Sequence, residues 1–139
     1  MLVAFVLNSF LVAAVVVIHH EVLNSLFIVG QKLSVRRNLA VLIGVFGALF
    51  AHVAEIWLFA LGYFFMVRSN YFETLAGNFS GSLTDCAYFS FTTYTSLGFG
   101  DVVPHGHLRF TAGLEALTGL VMITWTASFM FLKMQRYWR

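Results

Sequence analysis

Residues 95–101 read Thr95-Ser96-Leu97-Gly98-Phe99-Gly100-Asp101. Two glycines alternate with bulky apolar residues, and an acidic residue closes the run. Alternating glycines allow successive carbonyls to point the same way, because that arrangement calls for backbone angles that a residue without a Cβ reaches freely. A lone Gly-x-Gly says little, and a glycine turn in a surface loop reads the same. The surroundings raise this one: a short amphipathic run precedes it and a long apolar stretch follows.

The chain has 139 residues, 60% of them hydrophobic and 10% charged, with a mean hydropathy of +0.84. A soluble domain carries about 25% charged residues, so most of this surface must be buried in lipid. The single cysteine, Cys86, rules out a disulfide framework within one chain. A net charge of +2 points to no nucleic-acid partner, and the few basic residues read better as topology signals. No basic segment precedes the first apolar run and no small-residue cleavage site follows it, so that run is predicted to be a retained membrane helix.

Three segments, roughly Leu2 to Val29, Leu39 to Val67 and Leu108 to Leu132, each supply the ~20 apolar residues that cross a bilayer core. Between the second and third lies a stretch too long for a tight turn and too apolar for a solvated loop. Ser82-Leu83-Thr84-Asp85 within it reads as a helix start, with a hydroxyl cap and an acidic first turn. The expected organisation is an extra N-terminal membrane helix over 1–30 and a loop over 31–38. A second unit follows over 39–139, with an outer helix at 39–67, a short helix at 83–95, the glycine run at 96–100 and an inner helix at 108–132. Non-helical backbone at membrane depth is tolerated only where protein buries it or it lines a water-filled path. Lys32, Arg36 and Arg37 cluster after the first span, and Lys133, Arg136 and Arg139 follow the third. With three spans both groups fall on one side, which should be the cytoplasm, leaving the N-terminus and the 71–107 loop outside.

From about Arg37 to Arg139 the chain resembles the pore module of small bacterial potassium channels, whose filter reads Thr-x-Gly-Tyr/Phe-Gly-Asp. The resemblance implies an all-α membrane protein: three transmembrane helices with a re-entrant pore helix and filter loop, homotetrameric around a central pore. It implies a channel, not an enzyme, conducting K+ passively across the plasma or inner membrane. Its partners would be potassium ions, the lipid bilayer and its own copies, with no cofactor. Carbonyls of Ser96, Leu97, Gly98 and Phe99, with the Ser96 hydroxyl, would ring the ion in place of its hydration shell. Thr95 and Gly100 flank them. Tyr88, Phe89 and Thr92 on the pore helix and Asp101 behind the filter would brace it, and Gly119 stands where similar channels carry a hinge. The pore-helix end near Thr95 would aim its negative dipole at a central cation. The sequence departs from the family in having Ser96 for Thr, Leu97 for Val and Phe99 for Tyr. Weak selectivity among monovalent cations is therefore the nearest rival reading.

Ionisable residues also lie inside the apolar segments: His19, His20 and Glu21 in the first, His52 and Glu55 in the second, Glu115 in the third. Charges at such depth suggest pairing or function. His52 and Glu55 are three apart, on one helical face. A hydrogen-bonded network pinning the extra helix to the pore, a pH input through histidine, and a transition-metal site are the three readings. A membrane haem protein using His19 or His20 with His52 as axial ligands is the reading from another class, and it leaves the glycine run unexplained. Glu115 is expected to bond to the back of the pore helix sooner than to line a pore. No segment repeats arginine every third residue, so no voltage-sensing helix is expected, nor is a cytoplasmic ligand-binding domain.

Overall fold

The computed structural model describes residues 2–32, 37–69 and 72–138. In chain order its elements are α1 (Leu2–Lys32), α2 (Arg37–Arg68), β1 (Leu75–Gly77), α3 (Leu83–Tyr94), β2 (Val102–Pro104) and α4 (Leu108–Trp138). Three of the helices carry spans long and apolar enough to cross a membrane: Leu2–Val29, Leu39–Arg68 and Leu108–Gln135. At 1.5 Å per residue, α1, with 31 residues, is about 46 Å long, more than the ~30 Å of a hydrocarbon core. Phe5, Phe10, Phe46, Phe50, Phe65 and Phe131 are all exposed on these helices. Such a surface belongs in lipid or against other copies, and the chain is a multi-pass, all-α membrane protein.

The helices run further than their apolar content indicates. The 31–38 loop narrows to residues 33–36, which lie outside the described residues, because α1 continues to Lys32 and α2 begins at Arg37. At the other end, α4 continues past Leu132 to Trp138.

Close approach of α1 and α2 depends on small residues. Leu26 lies over Gly47, where a Cβ would collide with its side chain, and Leu11 lies over Gly62, where a Cβ would stand 2.8 Å from the leucine Cδ1. Each pair is fifteen residues from the other along both helices, which fixes one antiparallel register. Small-residue contacts of this kind drive helix association where lipid removes the hydrophobic incentive. Lys133 Nζ of α4 donates to the Leu26 carbonyl at 3.3 Å, tying the third span to the first.

Sequence reading missed the two-stranded sheet. β1 and β2 pair antiparallel, Leu75 opposite Pro104 and Gly77 opposite Val102. Three residues are too few to show an alternating pattern, and Pro104, which lacks an N–H, suits an edge position. Gly77 sits at φ +97 with Asp101's carbonyl where a Cβ would be, and the Asn78 N–H donates to that same carbonyl at 2.8 Å. The sheet thus fastens the loop after α2 to the end of the glycine run.

Candidate functional site: the glycine ribbon and the polar groups beneath it

The ribbon is launched by α3. Ser82 caps that helix in an extended conformation, its hydroxyl accepting from the Asp85 N–H at 3.1 Å. Asp85 in turn accepts from the Ser80 N–H at 2.7 Å and the Ser80 hydroxyl at 2.6 Å. Those two hydrogen bonds, the side-chain one foremost, hold its carboxyl below the usual range. Burial pushes the Cys86 thiol, one residue on, up to about 11, so it stays protonated and unreactive. The helix ends at Tyr94 with Thr95 as its cap, one residue earlier than the sequence indicates.

Past the cap the backbone alternates. Ser96 has φ +58, Gly98 φ +51 and Gly100 φ +80, whereas Leu97 and Phe99 between them stay in the ordinary region. Left- and right-handed residues in turn rotate successive peptides so that their carbonyls face one side, unlike a strand, where they alternate. A Cβ on Gly98 or Gly100 would meet nothing within 4 Å, so glycine is required there by the backbone and not by lack of space. Ser96 bears a strain on the order of 1 kcal/mol for adopting the left-handed form. Among the described residues no hydrogen bond is donated to the carbonyls of residues 96–99. Leu97 and Phe99 are 60% and 65% exposed on the single chain.

The ribbon is braced at both ends. The Gly98 N–H donates to the Thr92 carbonyl at 3.1 Å, and the Ser96 N–H to that of Thr93 at 2.9 Å. At the far end the Tyr88 hydroxyl donates to Asp101 Oδ2 at 2.8 Å, and this bond raises the phenol above its ordinary range. Phe89 is buried edge-on to Tyr63, ring centroids 5.0 Å apart.

Behind α3 lie two buried polar groups. Glu115 is fully enclosed, its Oε2 accepting from the Tyr63 hydroxyl at 2.6 Å and its Oε1 from Ser90. Ser90 Oγ also lies 2.8 Å from the Ile56 carbonyl. Glu115 thus meets the back of the short helix. The second group draws on all four helices. His19 Nδ1 lies 2.8 Å from Glu55 Oε1, and the Tyr94 hydroxyl donates to Glu55 Oε2. His52 Nδ1 lies 3.0 Å from Tyr94 Oη. Thr126 Oγ1 lies 3.3 Å from His19 Nε2 and 3.1 Å from His52 Nε2. His19 and Glu55 are wholly buried.

The structure therefore brings together His19, His52 and Glu55 of the six intramembrane candidates, keeps Glu115 apart, and leaves His20 and Glu21 exposed. His20 rests near Trp125, ring centroids 6.2 Å apart. Three consecutive helical residues point about 100° apart, so His19 alone could face inward with this register. Sequence reading missed the neutral partners Tyr63, Ser90, Tyr94 and Thr126. Only Tyr63 left a trace, two turns beyond Glu55 in α2. Gly119 lies within an unbroken α4, directly against Tyr94; a Cβ there would collide with the Tyr94 carbonyl oxygen. The second and third spans thus both close on the last residue of α3.

Residues 38–136 match the sequence model of a protein family described as ion channel. The matched segment holds α2, the ribbon, both strands and most of α4, and excludes α1. No curated protein and no solved structure matches the chain.

Proposed function

The chain belongs to that ion-channel family, and on this premise we propose that four copies form a potassium-selective channel conducting K+ passively across the cell membrane. The observation that carries the reading is the alternation of left-handed residues at Ser96, Gly98 and Gly100. A row of same-facing carbonyls without internal partners is a cation-coordinating surface. One ribbon covers only a quarter of an ion's shell, so four must meet on an axis. The exposed Leu97 and Phe99 would then be covered by neighbouring copies. Ser96, Leu97, Gly98 and Phe99 coordinate the ion, Thr95 and Gly100 flank them, and Tyr88, Phe89, Thr92 and Asp101 hold the ribbon in shape. The N-terminus and ribbon face outward and the C-terminus the cytoplasm. A bend of α4 at Gly119 would carry the seat of Tyr94 with it, so hinge and filter are mechanically joined.

A second reading, weak selectivity among monovalent cations, is favoured by the residues themselves: Phe99 has no hydroxyl to brace the filter from behind, and Ser96 lacks threonine's rotamer-fixing methyl. Haem ligation fits less well, since all four ring nitrogens of His19 and His52 already face Glu55, Tyr94 or Thr126. The test is K+ flux into liposomes carrying the purified chain. Barium should block it, and Gly98→Ala should abolish it. A bi-ionic potential near zero for K+ against Na+ would establish the second reading, and absence of flux from a tetrameric preparation would end the first.

A further inference from the structure

The five polar side chains beneath the ribbon form a closed ring. In order they are His19, Thr126, His52, Tyr94 and Glu55, with Glu55 returning to His19. Each of the five contacts needs one hydrogen between its two heavy atoms. With neutral imidazoles and an ionised carboxylate, His19, His52, Tyr94 and Thr126 bring one hydrogen each and Glu55 brings none. Four hydrogens cannot make five bonds. Tyr94 donates to Glu55, so without a fifth hydrogen His52 Nδ1 and Tyr94 Oη would face each other lone pair to lone pair at 3.0 Å, or another contact in the ring would do so.

Charge leads to the same count. An ionised Glu55, wholly buried in a membrane-spanning helix, is costly unless a positive group balances it. On α1, His19 faces the carboxylate, whereas His20 and Glu21 are exposed. On α2 there is His52, and on α3 Tyr94. On α4, Thr126 is uncharged, Lys133 is turned to the Leu26 carbonyl and the Phe129 ring, and Glu115, near enough to act on Tyr94 through space, is engaged by Tyr63 and Ser90. Among the described residues, only a proton on His19, His52 or Glu55 itself makes the ring neutral.

We propose that this ring is a proton-binding site: it holds one hydrogen beyond its neutral histidines and ionised carboxylate, and that proton joins α1 to the end of α3 that launches the ribbon. Losing it leaves a buried negative charge and one broken link, and every one of the five links lies between two different helices. His52, with 14% of its side chain exposed, stands on the wall of a cavity of about 470 Å3 bounded by Leu49, Ile56, Phe91, Ile123 and Met130, so it is the less enclosed of the ring's two histidines. Three of the five, His19, His52 and Glu55, are also of the residue types that bind metals, and their donor atoms lie within 4.8 Å of one another. However, His19 Nδ1 and Glu55 Oε1 are 2.8 Å apart, whereas a tetrahedral ion with bonds of 2.0–2.1 Å spreads its ligands to roughly 3.3 Å. The spacing is that of hydrogen bonds.

The site itself does not depend on the potassium reading, but its consequence for conduction does. The test uses the full chain in bilayers at neutral pH, with infrared and 15N-histidine magnetic-resonance spectra of wild type and Glu55→Gln. Expected is either a protonated-carboxyl band or a pair of imidazolium nitrogens at His19 or His52, lost in Glu55→Gln. An ionised Glu55 beside two neutral imidazoles overturns the proposal, and so does a spectrum that adopts metal-bound histidine shifts when Zn2+ is added. The wild-type spectrum decides even if Glu55→Gln does not fold. In liposomes, K+ flux should change by roughly fivefold or more over the pH range in which the signature disappears. Flux that stays flat across that range refutes the link to conduction. No flux at any pH, with the signature present, refutes the channel reading and leaves the proton site standing.

Discussion

Two glycines of α4 should respond to the same substitution with opposite signs. At Gly119 an added Cβ would overlap the Tyr94 carbonyl oxygen and stand 2.9 Å from both its carbonyl carbon and its Cγ. The obstacle is largely backbone, so no rotamer change relieves it, and α3 or α4 must move. Overpacking of this kind costs about 1–3 kcal/mol, and the backbone contact places Gly119→Ala at the upper end. Against that, replacing glycine by alanine inside a helix gains about 1 kcal/mol. The net expectation is a loss of about 2 kcal/mol per chain. At Gly113 a Cβ meets nothing within 4 Å, so Gly113→Ala keeps the helix gain of about 1 kcal/mol and loses nothing within the chain. Thermal unfolding in lipid nanodiscs, followed by circular dichroism, should therefore rank Gly113→Ala at or above wild type and Gly119→Ala below it. If both variants melt together, the seat of Tyr94 on α4 is not a tight contact, and the argument that Gly119 serves packing fails.

Thr126→Val removes the hydroxyl shared by His19 and His52 at nearly constant volume; the wholly buried His19 loses a partner at about 1–3 kcal/mol, the partly exposed His52 loses less, and the melting temperature in nanodiscs should fall. Phe99→Tyr returns a hydroxyl behind the ribbon and should increase preference for K+ over Na+; each tenfold gain corresponds to about 1.4 kcal/mol, read from the bi-ionic potential, and no gain would detach selectivity from that hydroxyl. For Asp85 the folded carboxyl is depressed, so its hold on Ser80 is present above the ordinary carboxylate pKa and is lost as pH falls through the depressed value. Hydrogen-exchange protection of the Ser80 amide should weaken on acidification within that window, and should already be absent at neutral pH in Asp85→Ala, which has no side-chain acceptor.

The parts of this fold legible in sequence are those that a few adjacent residues determine. Long apolar runs define the spans, Ser82 to Asp85 define a helix start, and Gly98 and Gly100 define a ribbon. The parts that were not legible depend on residues brought together from far along the chain. Tyr94 reads as one more aromatic on an amphipathic helix until α2 and α4 close around it. Thr126 reads as a small polar residue in a membrane span, where such side chains commonly bond their own helix, as Thr118 and Thr124 do. β1 and β2 are too short to show a period, and their partners are twenty-nine residues apart at Leu75 and Pro104. His19, His20 and Glu21 are neighbours in sequence yet face different directions, so their charges do not act as one cluster.

Tyr94 explains how a helix outside the matched channel segment can matter to the ribbon. Its hydroxyl is held by Glu55 and approached by His52. Its carbonyl presses on Gly119, and the ribbon begins two residues later. A residue held in this way by its hydroxyl and by its backbone carbonyl is tied to the position of the end of α3, and the Thr92 and Thr93 carbonyls that receive Gly98 and Ser96 lie on that same last turn. From α1 a continuous route leads through His19 to Glu55 and through Glu55 to Tyr94. Along that route, release of His19 would free the carboxylate that holds the Tyr94 hydroxyl. A variant that separates the two effects is Tyr94→Phe: it keeps the ring in its buried place and the carbonyl on Gly119, and cuts only the hydroxyl link. Flux through that variant should become insensitive to His19→Ala, whereas flux through wild type should not. Equal sensitivity in both backgrounds would mean that α1 reaches the ribbon by another route.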